Sequence, residues 1–179
     1  MSLTRRVVVV AALVGLACGS ARAAGAQSAT LNAELLKDWT EQKNLMMKIA
    51  EAMPAEKFSY KSTPPQRDYG QQILHVANGN IVYLRFMGAK ATAPTVQRDA
   101  NGKAEILKAL ADAYDFGAAV INEQTDQSLL QTVDTNQYLG PSSRARVIYF
   151  LLGHTWDIYG QMAVYLRLNG ITPPRSQRP

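Results

Sequence analysis

Cysteine and histidine are scarce in this sequence of 179 residues, which contains one cysteine, Cys18, and two histidines, His75 and His154. A lone cysteine excludes both an intramolecular disulfide bond and the Cys–His clusters of structural zinc sites. A glycine-rich phosphate-binding loop and a Ser–His–Asp order of catalytic residues are also absent from the sequence. Any metal or proton chemistry therefore depends on the two histidines and on the residues that surround them in the fold.

The first 26 residues have the layout of a secretory signal peptide. A basic start is followed by an apolar run of 11 residues at 7–17, and then by small residues that supply A-x-A cleavage sites. The run is too short for a permanent membrane anchor. We expect a mature chain that begins between Ala24 and Ser28 and is periplasmic or secreted, with residues 27–179 forming a single domain.

Removal of this leader changes both the charge and the chemistry of the chain. It takes away three arginines and no acidic residue, so the net charge falls from +5 to +2, with 16 basic and 14 acidic residues. So small a charge gives no case for nucleic-acid binding. Cys18 is removed as well, which leaves no protein thiol as a nucleophile. Two other interpretations of the leader stay open, twin-arginine export through Arg5 and Arg6 and lipidation of Cys18.

Four long amphipathic patterns cover the rest of the chain. Apolar residues recur every three or four positions, proline- and glycine-rich loops separate the patterns, and serines precede the last one. Four helices of about 20 residues or more, without convincing strand pairs, predict an all-α four-helix bundle. The sequence does not decide whether residues 127–139 contain one short strand. The predicted helices run from about Ser28 to Met53, Gln66 to Gly88, Lys103 to Glu123 and Pro141 to Asn169.

The two histidines lie in the second and fourth predicted helices. At about 100° per residue, His154 falls in a mainly apolar stripe and should point inward. The face of His75 is polar and contains a glycine, which is typical of a lined pocket rather than of plain core. Each histidine can instead be a core residue that is hydrogen-bonded to a backbone carbonyl or a tyrosine. Two histidines in the middle of different long helices favour a shared site, but their spacing in the sequence alone does not show that they meet. The residues that share the face of His75 are Gln71, Gln72, Asn78, Gly79, Val82 and Phe86.

The placement of His75, together with the run HTWDIYGQMAVYLRLNGITPP that starts at His154, resembles the DinB-like family of four-helix bundles. Members of this family are similar in binding a divalent metal ion through three histidines, one in the second helix and two, four residues apart, in the fourth. The resemblance aligns His75 and His154 with two of these ligands. Because the family brings these two positions together, we expect the two imidazoles to approach each other and face one cavity. The resemblance places Ile158 at the third position, and an aliphatic side chain cannot bind a metal. The resemblance therefore implies a divalent ion, such as Zn, Ni or Mn, that is bound weakly or not at all.

Two neighbours of Ile158 are candidates to replace the missing ligand. Gln161 lies in the same stripe as His154 and offers an amide oxygen, which is a weak ligand. Asp157 lies about 60° from His154 around the helix, on the side away from Ile158. We interpret Asp157 rather as the partner of a nearby arginine or tyrosine.

The resemblance implies one of two functions. The first is a metal-dependent transferase or hydrolase with a partly degenerate site, because characterised relatives are thiol-dependent S-transferases or isomerases. Export of the protein counts against a cytosolic thiol as its co-substrate. The second is a non-catalytic bundle that binds a small molecule or a protein partner in the former active-site pocket. The resemblance also implies a homodimer.

Overall fold

Residues 30–177 of the chain are described by a computed structural model. The predicted signal peptide, its cleavage site and the predicted helix start at Ser28 lie outside this range. None of the helices within this range combines the length and the apolar character that a membrane span requires.

The architecture is all-α, and four long helices form a bundle as the sequence predicts. A side-chain oxygen of Thr30, Asp68 or Ser143 accepts a backbone N–H from the first turn of the helix that follows it, which fixes three of the helix starts. A fifth helix of four residues was not predicted, because so short a segment shows no periodicity. In chain order the helices are α1 (Leu31–Ala52), α2 (Tyr69–Leu84), α3 (Lys103–Asn122), α4 (Asp126–Leu129) and α5 (Arg144–Leu168).

Helix α2 is shorter than its sequence pattern predicts. It starts at Tyr69 rather than Gln66, because Asp68 and Gln71 form a reciprocal capping box that ends the preceding loop. At its other end the chain tightens into a 3-10 turn at Arg85–Met87. Gly88 then adopts a left-handed conformation, with φ of 69°, that stops the helix.

A two-stranded antiparallel sheet lies between α4 and α5. Strand β1 (Thr132–Val133) pairs with β2 (Ser142–Ser143). The sequence did not decide whether this region contains one strand, and it predicted no strand pair. Strands of two residues are too short to show a recognisable alternation of polar and apolar residues. The pairing closes the loop of residues 134–141 against the start of α5, and this loop contributes one wall of the site described below.

The long helices pack around the bundle in the order α1, α3, α2, α5, so that each contacts two neighbours. Helices α1 and α3 pack closely at Trp39 and Gly117. There the fully buried indole of Trp39 lies against Gly117, and its Nε1 donates a hydrogen bond to the carbonyl oxygen of Tyr114 (2.9 Å). Because α2 and α5 are also neighbours, the bundle brings His75 and His154 to the same interface.

Candidate functional site

The two histidines meet between α2 and α5. The Nε2 atoms of His75 and His154 are 3.0 Å apart, and the ring centroids are 4.9 Å apart. This confirms the prediction that the two imidazoles approach each other. At this distance one Nε2–H donates to the lone pair of the other Nε2 when both rings are neutral.

The histidine pair faces a cavity of about 610 Å³. Four aromatic residues contribute to its walls, and Phe150 stacks nearly parallel to the imidazole of His154, with 6.4 Å between the ring centroids. Tyr138 stands at the cavity with 80 % of its surface exposed. We call this space the aromatic cavity. Its lining residues are His75, Gly79, Tyr83, Tyr138, Tyr149, Phe150, Leu151, Gly153, His154 and Asp157.

The aromatic walls were not among the predicted site residues. Phe150 had a signal, because it precedes His154 by four residues and so lies on the same face of α5. Tyr83 lies eight residues after His75, two helical turns along α2. Tyr138 had no signal, since it comes from the loop that the short sheet closes, and its contact with Phe150 (5.8 Å between centroids) depends on the folded arrangement.

The protonation of the pair is controlled mainly by burial. Loss of solvent is the main reason why the pKa of His75 is lowered to about 4, and the positive charge of Arg67 and repulsion from a protonated His154 contribute to the same shift. Burial also lowers the pKa of His154; the carboxylate of Asp157 opposes this effect, while Arg67 adds to it. Both imidazoles are therefore neutral at neutral pH, which is the form that binds metal ions and that can share a proton with a neighbour.

Asp157 faces the aromatic cavity and is oriented by an amide chain. The Nε2 of Gln161 donates to Oδ2 of Asp157 (3.1 Å), and the Nε2 of the buried Gln72 donates to Oε1 of Gln161 (2.8 Å). The interpretation of Asp157 as the partner of an arginine or tyrosine is therefore wrong, because its partner is Gln161. Gln161 itself is not among the residues that line the cavity.

The sequence predicted that the polar face of α2 lines a single pocket. In the structure its residues are instead divided between two cavities and the buried interior. Gly79 alone among its predicted polar and small residues reaches the aromatic cavity, where a Cβ would lie 3.7 Å from Cε1 of His154. Gln72 is fully buried, whereas Gln71 and Asn78 line a second cavity that also touches His75. The angular spread of these residues around the helix explains the division, because they extend to both sides of His75.

Ile158 follows His154 by four residues on α5. Its side chain is buried, with 2 % of its surface exposed. Among residues 30–177, no group of three or more His, Cys, Asp or Glu side chains is arranged to hold a metal ion. The pair by itself has suitable chemistry. In a tetrahedral site, metal–nitrogen bonds of about 2.1 Å span about 3.4 Å between two ligand nitrogens, slightly more than the 3.0 Å between these two Nε2 atoms. His75 and His154 stand at two of the three positions that the resemblance assigns to ligands, and their role as ligands stays a prediction.

Acidification is expected to destabilise the protein through His75. Its pKa is about 4 in the folded protein and about 6.5 in an unfolded chain, so the unfolded state binds more protons between these values. The free energy of unfolding should therefore fall as the pH drops from about 6.5 towards 4. Because the imidazole is only half buried, solvent screening limits the loss to about 1–2 kcal/mol.

Urea unfolding at about pH 7 and about pH 5 measures this effect. The difference in stability between the two conditions should be smaller in His75→Gln than in the natural protein. Asn44→Ala, an exposed change in α1, serves as the control and should keep the natural difference. An unchanged pH response in His75→Gln would show that the pKa of this histidine is not depressed.

Comparisons with known proteins agree with this architecture. Residues 26–178 match the DinB family. The fold is similar to the crystal structure of a DinB-like protein from Bacillus cereus, with a TM-score of 0.70 and 22 % sequence identity, over 81 % of this chain and 96 % of that one. Comparison with curated protein sequences gives no match. The family match spans nearly the whole chain, and we conclude that the protein is a member of the DinB family.

Proposed function

We propose that this DinB-family protein binds a divalent metal ion, such as Zn, Ni or Mn, at the His75–His154 pair and a small molecule in the aromatic cavity beside it. The observation that carries this proposal is the 3.0 Å separation of two neutral imidazole nitrogens at the wall of that cavity. Two imidazoles leave further coordination positions for water or for the ligand itself. When bound, such an ion would supply Lewis acidity.

The walls of the aromatic cavity fit a small organic ligand with an apolar or aromatic body. Its volume of about 610 Å³ lies within the range of small-molecule sites, which are mostly apolar with a few polar groups. Tyr83 and Phe150 pack with 4.8 Å between their ring centroids and present a continuous aromatic surface. Such a surface excludes water from the ligand body.

Asp157 supplies the one carboxylate of the cavity lining. Its Oδ2 accepts the amide hydrogen of Gln161, so Oδ1 is left to accept a proton or a hydrogen bond from a bound ligand or water. A carboxylate beside a neutral histidine pair suits proton transfer in group-transfer or hydrolytic chemistry. We therefore propose a metal-dependent transferase or hydrolase as the activity class.

Calorimetric titration of the natural protein with Zn²⁺ tests the proposal. We expect weak binding of one ion per chain, and a loss of about tenfold or more in affinity in His154→Ala and in His75→Ala. Glu56→Gln removes an exposed carboxylate outside the site and should bind as the natural protein does. Equal binding by all four proteins would place any metal away from the pair.

A second candidate function is non-catalytic binding of a small molecule without metal. It is favoured by the direct hydrogen-bonding distance between the two imidazoles and by the aliphatic Ile158 at the third family position. In that case the pair is a structural hydrogen bond that positions α2 against α5. The same titration then shows no zinc binding in the natural protein, and removal of either histidine lowers stability only.

A further inference from the structure

A second cavity of about 380 Å³ adjoins His75, which lines both cavities. It lies where the loop before α2 and the loop before α3 come together beside the first half of α2. We call it the arginine cavity. Its lining residues are Arg67, Gln71, Leu74, His75, Asn78 and Arg98.

The lining of the arginine cavity carries two positive charges and no carboxylate. Among the salt bridges within residues 30–177, none involves Arg67 or Arg98. The sequence neighbours Asp68 and Asp99 line an adjacent cavity, to which Gln71 and Arg98 also contribute, and Oδ1 of Asp68 accepts the backbone N–H of Gln71. Within the described residues, neither guanidinium group forms an ion pair with a carboxylate.

The two amides of the lining are oriented so that they also offer donors. Oε1 of Gln71 accepts the backbone N–H of Asp68 (3.0 Å), and Oδ1 of Asn78 accepts the Nε–H of Arg98 (3.2 Å). Both amide oxygens are thus engaged, and each NH₂ group is left to donate. Four side chains of the arginine cavity then present donors to the same space, which is the arrangement that binds an oxyanion.

Both arginines are anchored by contacts with the bundle. The hydroxyl of Tyr165 on α5 donates to the carbonyl oxygen of Arg67 (2.6 Å), and Asn78 on α2 orients the side chain of Arg98. The charge of Arg67 also reaches the histidine pair, since it lowers the pKa of both His75 and His154. An anion held here would therefore lie close to the proposed reaction site.

We propose that the arginine cavity is an anion-binding subsite that takes the carboxylate or phosphate group of a small molecule. The planar guanidinium groups of Arg67 and Arg98 bind the oxyanion, and the amide groups of Gln71 and Asn78 add neutral donors. The inference deepens the proposed small-molecule function by giving the ligand a negative charge. It does not depend on a bound metal ion.

Titration of the metal-free protein with inorganic phosphate and with benzoate, at low ionic strength, tests the subsite. We expect saturable binding of one anion, and the preferred probe distinguishes a phosphate from a carboxylate ligand. Arg67→Gln and Arg98→Gln should each weaken binding about tenfold or more, because each loses a charge-assisted hydrogen bond. Arg175→Gln removes the same charge outside the cavity lining and should bind as the natural protein does.

A second variant keeps the size of the side chain and replaces the amide donor of Asn78 by a negative charge. Asn78→Asp retains an oxygen that accepts from Arg98 but adds a carboxylate to the lining, so it should abolish anion binding. Failure of the natural protein to bind either anion, or equal binding by the natural protein and the arginine variants, would overturn the proposal. Zinc titration of the arginine variants separates the two inferences, since metal binding should survive in them if the histidine pair holds the ion.

Discussion

Ile158→His is expected to bind Zn²⁺ or Ni²⁺ at least about 100-fold more tightly than the natural protein, because a third imidazole joins two that are already in place. Residue 158 follows His154 by four positions, so its Cβ is a neighbour on the same helix. The Nε2 atoms of His75 and His154 are already 3.0 Å apart. Two imidazoles of the family triad are therefore close together before a third is added.

The metal-free form of this variant should be less stable than the natural protein. Ile158 is buried, so an imidazole replaces packed aliphatic surface and places a polar ring in the core. We expect a loss of about 1–3 kcal/mol in the free energy of unfolding. Metal should restore most or all of this loss, since an ion at 100 times its dissociation constant stabilises the folded state by about 2.7 kcal/mol. Thermal melts with and without metal, beside calorimetry, measure both effects.

Two controls make the result specific. Ile158→Asn introduces a polar group at the same buried position without an imidazole, so it should lose stability and gain little metal affinity. Asp157→Asn, made in the natural protein and in Ile158→His, shows whether the cavity carboxylate contributes to binding. If Ile158→His binds no better than the natural protein, residue 158 does not occupy the missing ligand position. If the natural protein already binds as tightly as the variant, Asp157 is the first residue to test as its third ligand.

The sequence predicted the bundle and the meeting of the histidines because both depend on long periodic patterns. A stripe such as Leu35, Trp39 and Met46 repeats over many turns and predicts a buried helix face despite errors at its ends. His75 and His154 lie in the middle of two such helices, where an error of a few residues at the boundary does not change which way the side chain points. The family resemblance then supplied the pairing of α2 with α5.

The walls of the site could not be predicted in the same way, because loops contribute to them. Tyr138 reaches the aromatic cavity from a loop that a two-residue strand pair closes, and Arg98 reaches the arginine cavity from the loop before α3. Neither residue has a local pattern that indicates its neighbour in space. The role of Gln161 was missed for a different reason. The helix angle placed it near His154 but could not show that Asp157 and Gln72 would engage both ends of its amide.

Gly117→Ala is expected to lower the free energy of unfolding by about 2–3 kcal/mol, although alanine is the better helix former. A Cβ at this position would lie 2.2 Å from Cζ2 and 2.7 Å from Nε1 of Trp39, well inside any contact distance. The indole cannot retreat easily, because it is fully buried and its Nε1 donates to the carbonyl oxygen of Tyr114. Helices α1 and α3 would have to separate, and the bundle depends on their close packing.

Gly160→Ala is the matched control. It makes the same change in the middle of a long helix, at a position where, among the described residues, no side chain from another helix packs against the glycine. Within residues 30–177, no atom beyond the adjacent residues and the backbone of the helix itself lies within 4 Å of a Cβ built at Gly160, so the helix propensity of alanine should act alone and raise stability by about 0.5–1 kcal/mol. Urea unfolding of the two variants should therefore give shifts of opposite sign. Trp39→Phe in the Gly117→Ala background removes the clashing part of the indole and should recover part of the loss. If Gly117→Ala instead gains stability as Gly160→Ala does, the contact between Trp39 and Gly117 is looser than the structure places it, and α1 has room to move against α3.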